Sequence, residues 1–141
     1  KKVLGEVGDF EELQKEISRR QIIEEDKYDE QGELFLDRGI GDVFAYSKVL
    51  VGRVPNDILF INFRNRYDLV FLLERLPFED DGLRIEKGDE QAERIHKEIE
   101  IAYKSSDYNL EKVPLLNTID ERVDYVLSIV LNFQRLKGGT N

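Results

Sequence analysis

Residue types that carry chemistry in many other proteins are missing from this chain of 141 residues. It has no cysteine, which excludes disulfides, cysteine-ligated zinc sites and thiol catalysis. His96 is the single histidine, so a metal site built from several histidines is excluded and a histidine-based triad is disfavoured. These absences narrow the classes of active site that the chain can hold.

Long apolar runs and a signal-peptide pattern are also absent, so the sequence predicts no membrane span. The net charge of -9 disfavours nonspecific contact with nucleic acid or an anionic membrane, and we expect a cytoplasmic protein. Methionine is absent and the chain begins with Lys1, from which we expect a fragment of a longer protein. Abundant Glu, Lys, Arg and Ile resemble the composition of thermophile proteins.

The residues that are present predict one soluble domain spanning 1–141 with a core of its own, because 40% are hydrophobic and 36% are charged. Apolar residues at helical spacing predict helices over 10–27, 43–51, 56–66, 89–106 and 119–136. Short apolar runs predict buried strands over 33–37, 69–73 and 112–116. Strands that alternate with helices favour a three-layer α/β/α domain with a mainly parallel sheet.

The strand predicted over 33–37 ends in Asp37 and Arg38, and a helix follows at once. In open parallel α/β sheets, ligands bind at the carboxyl ends of the strands. A carboxylate there can hold Mg²⁺ beside a triphosphate, and Arg38 would give a phosphate a planar partner with several donors. The spacing fits equally well an Asp37 that caps the following turn and an Arg38 in solvent.

Two further segments are candidate nucleotide contacts. The polar stretch at about 74–88 reads as a loop, either a lid with Arg75 and Arg84 on phosphates or a plain solvated loop, which this spacing favours. Val113 and Pro114 end the last predicted strand, where a turn can pack on a base. The alternative there is an ordinary strand-to-helix turn capped by Thr118, and the spacing favours it.

A series of motifs in a fixed order resembles the AAA-domain group of small, kinase-like P-loop NTPases, which includes relatives of nicotinamide riboside kinase. The series is FLDRGI at 35–40, AY at 45–46, YDLVFLL at 67–73, PF at 77–78, DGLR at 81–84, VP at 113–114 and ERV at 121–123. The resemblance implies a P-loop fold that uses ATP or GTP and Mg²⁺, and a small-molecule phosphoryl acceptor if the protein is a kinase. It gives Asp37 the role of the Walker B acid and Arg84 a place in a lid over the phosphates.

The chain departs from that family at one essential point. The phosphate-binding loop G-x-x-x-x-G-K-[ST], whose backbone amides and lysine hold the phosphates, is absent from the 141 residues. We expect it in a segment upstream of Lys1, together with the first strand of the sheet. The alternative is a non-catalytic module, which senses nucleotide or binds a protein partner with a degenerate P-loop fold.

Overall fold

A computed structural model describes residues 7–28, 32–76 and 88–138. The described residues form five helices and two strands. In chain order these are α1 (Val7–Lys27), α2 (Ile40–Leu50), α3 (Asn56–Leu59), β1 (Val70–Leu73), α4 (Gly88–Ser105), β2 (Leu110–Val113) and α5 (Ile119–Gly138).

The two strands and the helix between them form a βαβ unit. β1 and β2 are parallel, with Val70 opposite Leu110 and Leu73 opposite Val113, and α4 connects them. The parallel pairing that the sequence predicted is therefore confirmed. β2 begins and ends earlier than the predicted 112–116, and it ends directly before Pro114, which has no N–H to donate to a ladder.

The strand predicted over 33–37 is not formed in the described structure. Residues 33–36 have no regular structure, and the side chains of Leu34, Phe35 and Leu36 are 45%, 61% and 40% exposed. β1 is also less buried than predicted, since Leu73 is 50% exposed. A strand needs a neighbour that takes up its backbone hydrogen bonds, and no described strand lies beside residues 33–36.

The helix predicted over 56–66 is much shorter than expected. α3 ends at Leu59, and Asn65 has a φ of 60° in the left-handed region. That conformation cannot continue a right-handed helix, and a short polar side chain such as that of asparagine tolerates it best. Residues 60–69 instead form a sequence of turns that brings Arg66 and Tyr67 back against α1.

Helix α1 has nearly the predicted length but a different buried face. Its buried side chains are polar: Asp9, Gln14, Ser18 and Glu25. Asp9 and Glu12 have the spacing of a capping box, but Asp9 lies inside the first turn of the helix. Ile17, which has the helical spacing of the apolar Phe10 and Leu13, is 36% exposed. The helix therefore turns polar groups towards its neighbours.

The core lies where α2 and α4 pack against each other and against the turns after α3. Its centre consists of Ile40, Phe63 and Tyr103, all at most 4% exposed. Phe63 contacts the ring of Tyr103 edge to face, with centroids 5.8 Å apart, and stacks on Tyr108 at 6.1 Å. The Tyr108 hydroxyl accepts hydrogen bonds from the backbone N–H groups of Arg66 and Tyr67, at 2.9 and 3.1 Å.

Helix α5 contributes no buried residue to this core. Apolar side chains four residues apart form a stripe along it that is 42–69% exposed: Ile119, Val123, Leu127 and Leu131. Its C-terminal end contacts Glu33 through Gln134 and approaches Asp68 through Lys137, whose Nζ lies 4.0 Å from Oδ1. None of the helices in the described part of the chain combines the length and apolarity that crossing a bilayer requires.

The aromatic centre predicts a large difference between two phenylalanines. Phe63→Ala removes a ring that is 3% exposed and should lower the free energy of unfolding by about 3–5 kcal/mol. Phe60→Ala removes a ring that is 81% exposed and should change it by less than about 0.5 kcal/mol. Urea unfolding followed by circular dichroism measures both, and equal losses would contradict this location of the core.

Candidate functional site

The candidate site is the loop that leads into α2. Asp37 lies in this loop, its side chain is exposed, and it makes no hydrogen bond or ion pair with the described residues. α2 begins at Ile40, with Gly39 as its N-cap. The amino end of a helix attracts negative charge because its first N–H groups have no partner within the helix. Asp37 is therefore an exposed carboxylate close to the amino end of a helix.

Arg38 is held against α2 by an aromatic ring. Its guanidinium carbon lies 5.3 Å from the centroid of Tyr46, two turns into the helix. Burial opposes the charge of Arg38, but a hydrogen bond to Tyr46 and the attraction of Tyr46, Asp42 and Asp37 outweigh it. The pKa of Arg38 is consequently raised, and the guanidinium is a fixed positive charge next to Asp37.

Asp42 closes the first turn of α2. Its carboxylate accepts a hydrogen bond from the Tyr103 hydroxyl at 2.8 Å, and its backbone N–H donates to the carbonyl oxygen of Gly39 at 3.1 Å. Burial raises the pKa of the Asp42 carboxyl, although the hydrogen bond from Tyr103, the charge of Arg38 and nearby backbone N–H groups pull it down.

Two glycines let Tyr103 approach the start of α2. A Cβ atom on Gly41 would lie 2.6 Å from two carbons of the Tyr103 ring, and a Cβ on Gly39 would overlap the Tyr103 hydroxyl. Glycine is therefore needed at both positions because a neighbouring ring fills the space. The backbone of the loop, rather than a side chain, packs on Tyr103.

A buried polar cluster lies behind the loop. The Glu25 carboxylate accepts hydrogen bonds from Arg66 Nε at 2.5 Å, Gln21 Nε2 at 2.5 Å and the Tyr67 hydroxyl at 3.0 Å. Arg66 also donates to Asp26 at 2.7 Å. Burial opposes the charge of Arg66, but its hydrogen bonds to Glu25 and Asp26 raise its pKa, so the guanidinium stays charged.

Sequence reasoning did not find this cluster. The members of the cluster are distant in sequence, since Glu25 and Tyr67 are 42 positions apart. Gln21 has the helical spacing of the apolar residues of α1, and Tyr67 lies just before the predicted strand at 69–73. The one available signal is the acidic Glu25 followed much later by Arg66, and charge pairs at that separation cannot be matched from one sequence.

The other predicted contacts lie elsewhere or outside the described residues. Arg75 forms ion pairs with Asp89 at 2.9 Å and Glu93 at 3.0 Å, so α4 already takes up its charge. Arg84 falls within 77–87, outside the described residues, as does most of the predicted lid. The roles of these arginines as phosphate contacts stay predictions.

The turn after β2 has the predicted cap at Thr118, and the nucleotide contact at Val113 and Pro114 stays a prediction. Val113 is 1% exposed and belongs to the core, whereas Pro114 is exposed. The Thr118 hydroxyl accepts a hydrogen bond from the backbone N–H of Glu121 at 3.1 Å, which confirms the capping box at the start of α5. A nucleotide contact at Val113 would therefore have to come from its backbone.

Metal binding at this site would rest on few protein ligands. The described residues contain no group of three or more histidine, cysteine, aspartate or glutamate side chains that could hold an ion. Mg²⁺ fits such a site, since it is commonly held by one or two carboxylates while water and substrate phosphates complete its octahedron. Asp37 is a suitable single carboxylate.

Substitution of Gly41 tests the close approach of Tyr103. Gly41→Ala should lower the free energy of unfolding by about 1–3 kcal/mol, because the new methyl group overlaps the ring. Without that overlap the same change inside a helix would stabilise it by up to about 1 kcal/mol. The control is Gly32→Ala, where the new methyl group meets nothing within 4 Å and the stability should stay nearly constant. Urea unfolding shows whether Gly41→Ala lowers or raises the free energy of unfolding.

The raised pKa of Asp42 predicts a pH dependence of stability. The ordinary pKa of this carboxyl is 3.8, and because its pKa is raised on folding, the folded protein binds the proton more tightly than the unfolded chain does. The contribution of Asp42 to stability therefore falls as the pH rises from about 4 through its folded pKa. Unfolding free energies of wild type minus Asp42→Asn, measured from pH 4 to 8, should decline over that window. A rising difference would contradict the assignment.

Comparison with known proteins places these residues in a family. A family model described as AAA domain matches residues 2–122, which is most of the chain and includes the loop at Asp37. Neither the curated proteins nor the solved structures gave a match. The two-stranded parallel sheet with its connecting helix is consistent with a P-loop α/β fold. The chain therefore belongs to the AAA domain family of nucleotide-binding P-loop proteins.

Proposed function

We propose that this protein binds ATP or GTP with Mg²⁺ and either hydrolyses it or passes its γ-phosphoryl group to a small acceptor. The observation that carries the proposal is the exposed carboxylate of Asp37, next to Arg38 and just before the amino end of α2. Membership of the AAA domain family supports the nucleotide as ligand. The neighbouring charge of Arg38 supports a phosphate there.

Each residue of the site has a distinct role in this proposal. Asp37 would hold Mg²⁺, and the bound ion would neutralise charge on the phosphates. Arg38, which now lies over the ring of Tyr46, would contact a phosphate oxygen. Arg84 would add a second positive charge from the segment between β1 and α4. The hydrogen bond from Tyr103 to Asp42 holds the first turn of α2 in place, directly after Asp37 and Arg38.

The open side of the sheet supports further strands from outside the described residues. β1 has β2 on one edge and no described strand on the other. Two-stranded sheets are marginally stable, and parallel sheets are normally covered on both faces. Exposed apolar side chains occur at Leu36, at Leu73 and along α5. We infer that an apolar strand fills the space between residues 33–36 and β1, beneath α5.

In the proposal the phosphate-binding loop follows this added strand, so that its backbone amides face Asp37 across the carboxyl edge of the sheet. The alternative is a module that binds nucleotide, or a protein, without turnover. The lack of G-x-x-x-x-G-K-[ST] within the 141 residues is the feature that favours this alternative.

Calorimetric titration with MgATP and with MgGTP, followed by a phosphate-release assay, tests the proposal. The sample is the polypeptide with its upstream sequence. We expect binding together with phosphate release or transfer. Binding without turnover would support the non-catalytic module, and no binding of either nucleotide would contradict the proposal.

Substitution of Asp37 gives the residue-level test. Asp37→Asn should lower turnover by about a hundredfold, since metal contacts are worth several kcal/mol in the transition state. Its unfolding free energy should change by less than about 0.5 kcal/mol, because the side chain is exposed. The control is Asp57→Asn, which alters an acid whose side chain is 78% exposed in another part of the surface. Normal turnover in Asp37→Asn would remove Asp37 from the site.

A further inference from the structure

The amino end of α2 is capped by a side chain from a distant part of the chain. Gly39, its N-cap residue, has no side chain that can accept from the first turn. The backbone N–H of Ile40 instead donates to the Tyr67 hydroxyl at 2.8 Å. That hydroxyl in turn donates to Glu25 at 3.0 Å. Tyr67 therefore supplies the cap that the local sequence lacks.

A second hydrogen bond fixes the other side of Gly39. Gln21 Nε2 donates to the carbonyl oxygen of Arg38 at 3.0 Å and to the Glu25 carboxylate at 2.5 Å. The two bonds thus hold the Arg38 carbonyl and the Ile40 N–H, the backbone groups on either side of Gly39. Both depend on Glu25, which is 7% exposed and is fixed by Arg66.

We propose that Tyr67 and Gln21, both anchored on the Glu25 carboxylate, are positioning residues that set the direction of Asp37 and Arg38 at the nucleotide site. This inference rests on the proposed function of that site. Residues 33–36, which precede the loop, have no regular structure and are exposed. The two hydrogen bonds at the Arg38 carbonyl and the Ile40 N–H, here called the clamp, constrain the backbone directly beside Asp37 and Arg38.

The clamp is itself rigidly held. The backbone N–H of Tyr67 donates to the Tyr108 hydroxyl at 3.1 Å, and the Tyr67 ring lies 5.9 Å from the ring of Tyr108. Tyr67 is therefore fixed at its backbone, its ring and its hydroxyl. A group fixed at three points can hold a loop within the narrow tolerance that phosphoryl transfer requires.

The first test measures the clamp without nucleotide. Tyr67→Phe removes the hydroxyl and keeps the ring. Amide hydrogen exchange at Ile40 should become at least about fivefold faster, as expected for the loss of one hydrogen bond. The Val51 amide, which donates to Ser47 at the far end of α2, should keep its rate. Equal acceleration at both amides would indicate general destabilisation and would overturn the clamp.

The second test measures positioning in the polypeptide with its upstream sequence. Tyr67→Phe and Gln21→Met should each lower kcat for MgATP about tenfold or more and change KM by less than about twofold, because the loop acts on the transferring group. Gln21→Met keeps a long side chain with good helix propensity, so it folds even if Tyr67→Phe does not. The control is Tyr28→Phe, which removes a hydroxyl from an exposed tyrosine and should leave both constants unchanged.

The outcomes separate this inference from the proposed function. If wild type turns over MgATP and both variants keep its kcat, the positioning role is wrong and the proposed function stands. If wild type binds no nucleotide, the proposed function fails. If Tyr67→Phe still speeds exchange at Ile40 in that case, Tyr67 is only a structural cap of α2, and the positioning role is overturned as well.

Discussion

The carboxylate of Glu25 is buried, and its charge is tolerated because Arg66, Gln21 and Tyr67 all donate to it. An ionised carboxylate without partners would be expensive in this environment, and loss of one partner of such a buried pair destabilises by about 3–5 kcal/mol. The donors come from α1 and from the turns after α3. Folding must therefore bring these two parts of the chain together before the charge can be buried.

This requirement explains the orientation of α1. Apolar spacing alone would turn Phe10, Leu13 and Ile17 inward, yet Glu25, with Gln14 and Ser18, lies on the buried face. The hydrogen bonds at Glu25 fix the helix rotation at its carboxyl end. Ile17 is left near the surface as a consequence. The same rotation places the side-chain amide of Gln21 at the carbonyl of Arg38, so the position of the loop before α2 depends on the rotation of α1.

Features set by local sequence were predictable, and features set by distant partners were not. The four long helices follow from apolar periodicity, and the parallel pairing of β1 with β2 follows from their order along the chain. Residues 33–37 have the composition of a strand, but a strand forms only beside another one. At the candidate site, Asp37 and Arg38 could be proposed from the sequence because they are adjacent in it. The support from Tyr67 and Tyr103 could not, since it crosses tens of residues.

The apolar stripe of α5 has a consequence for how the 141-residue chain behaves in solution. Ile119, Val123, Leu127 and Leu131 are exposed, and the outer edges of the two-stranded sheet pair with no described strand. Such an edge is a template for pairing with another copy. Self-association is opposed by the net charge of -9, which makes copies repel one another. Added salt screens that repulsion over a Debye length of about 8 Å at physiological ionic strength. The solubility of this chain therefore depends on ionic strength, because the exposed apolar face of α5 favours self-association and the acidic surface opposes it.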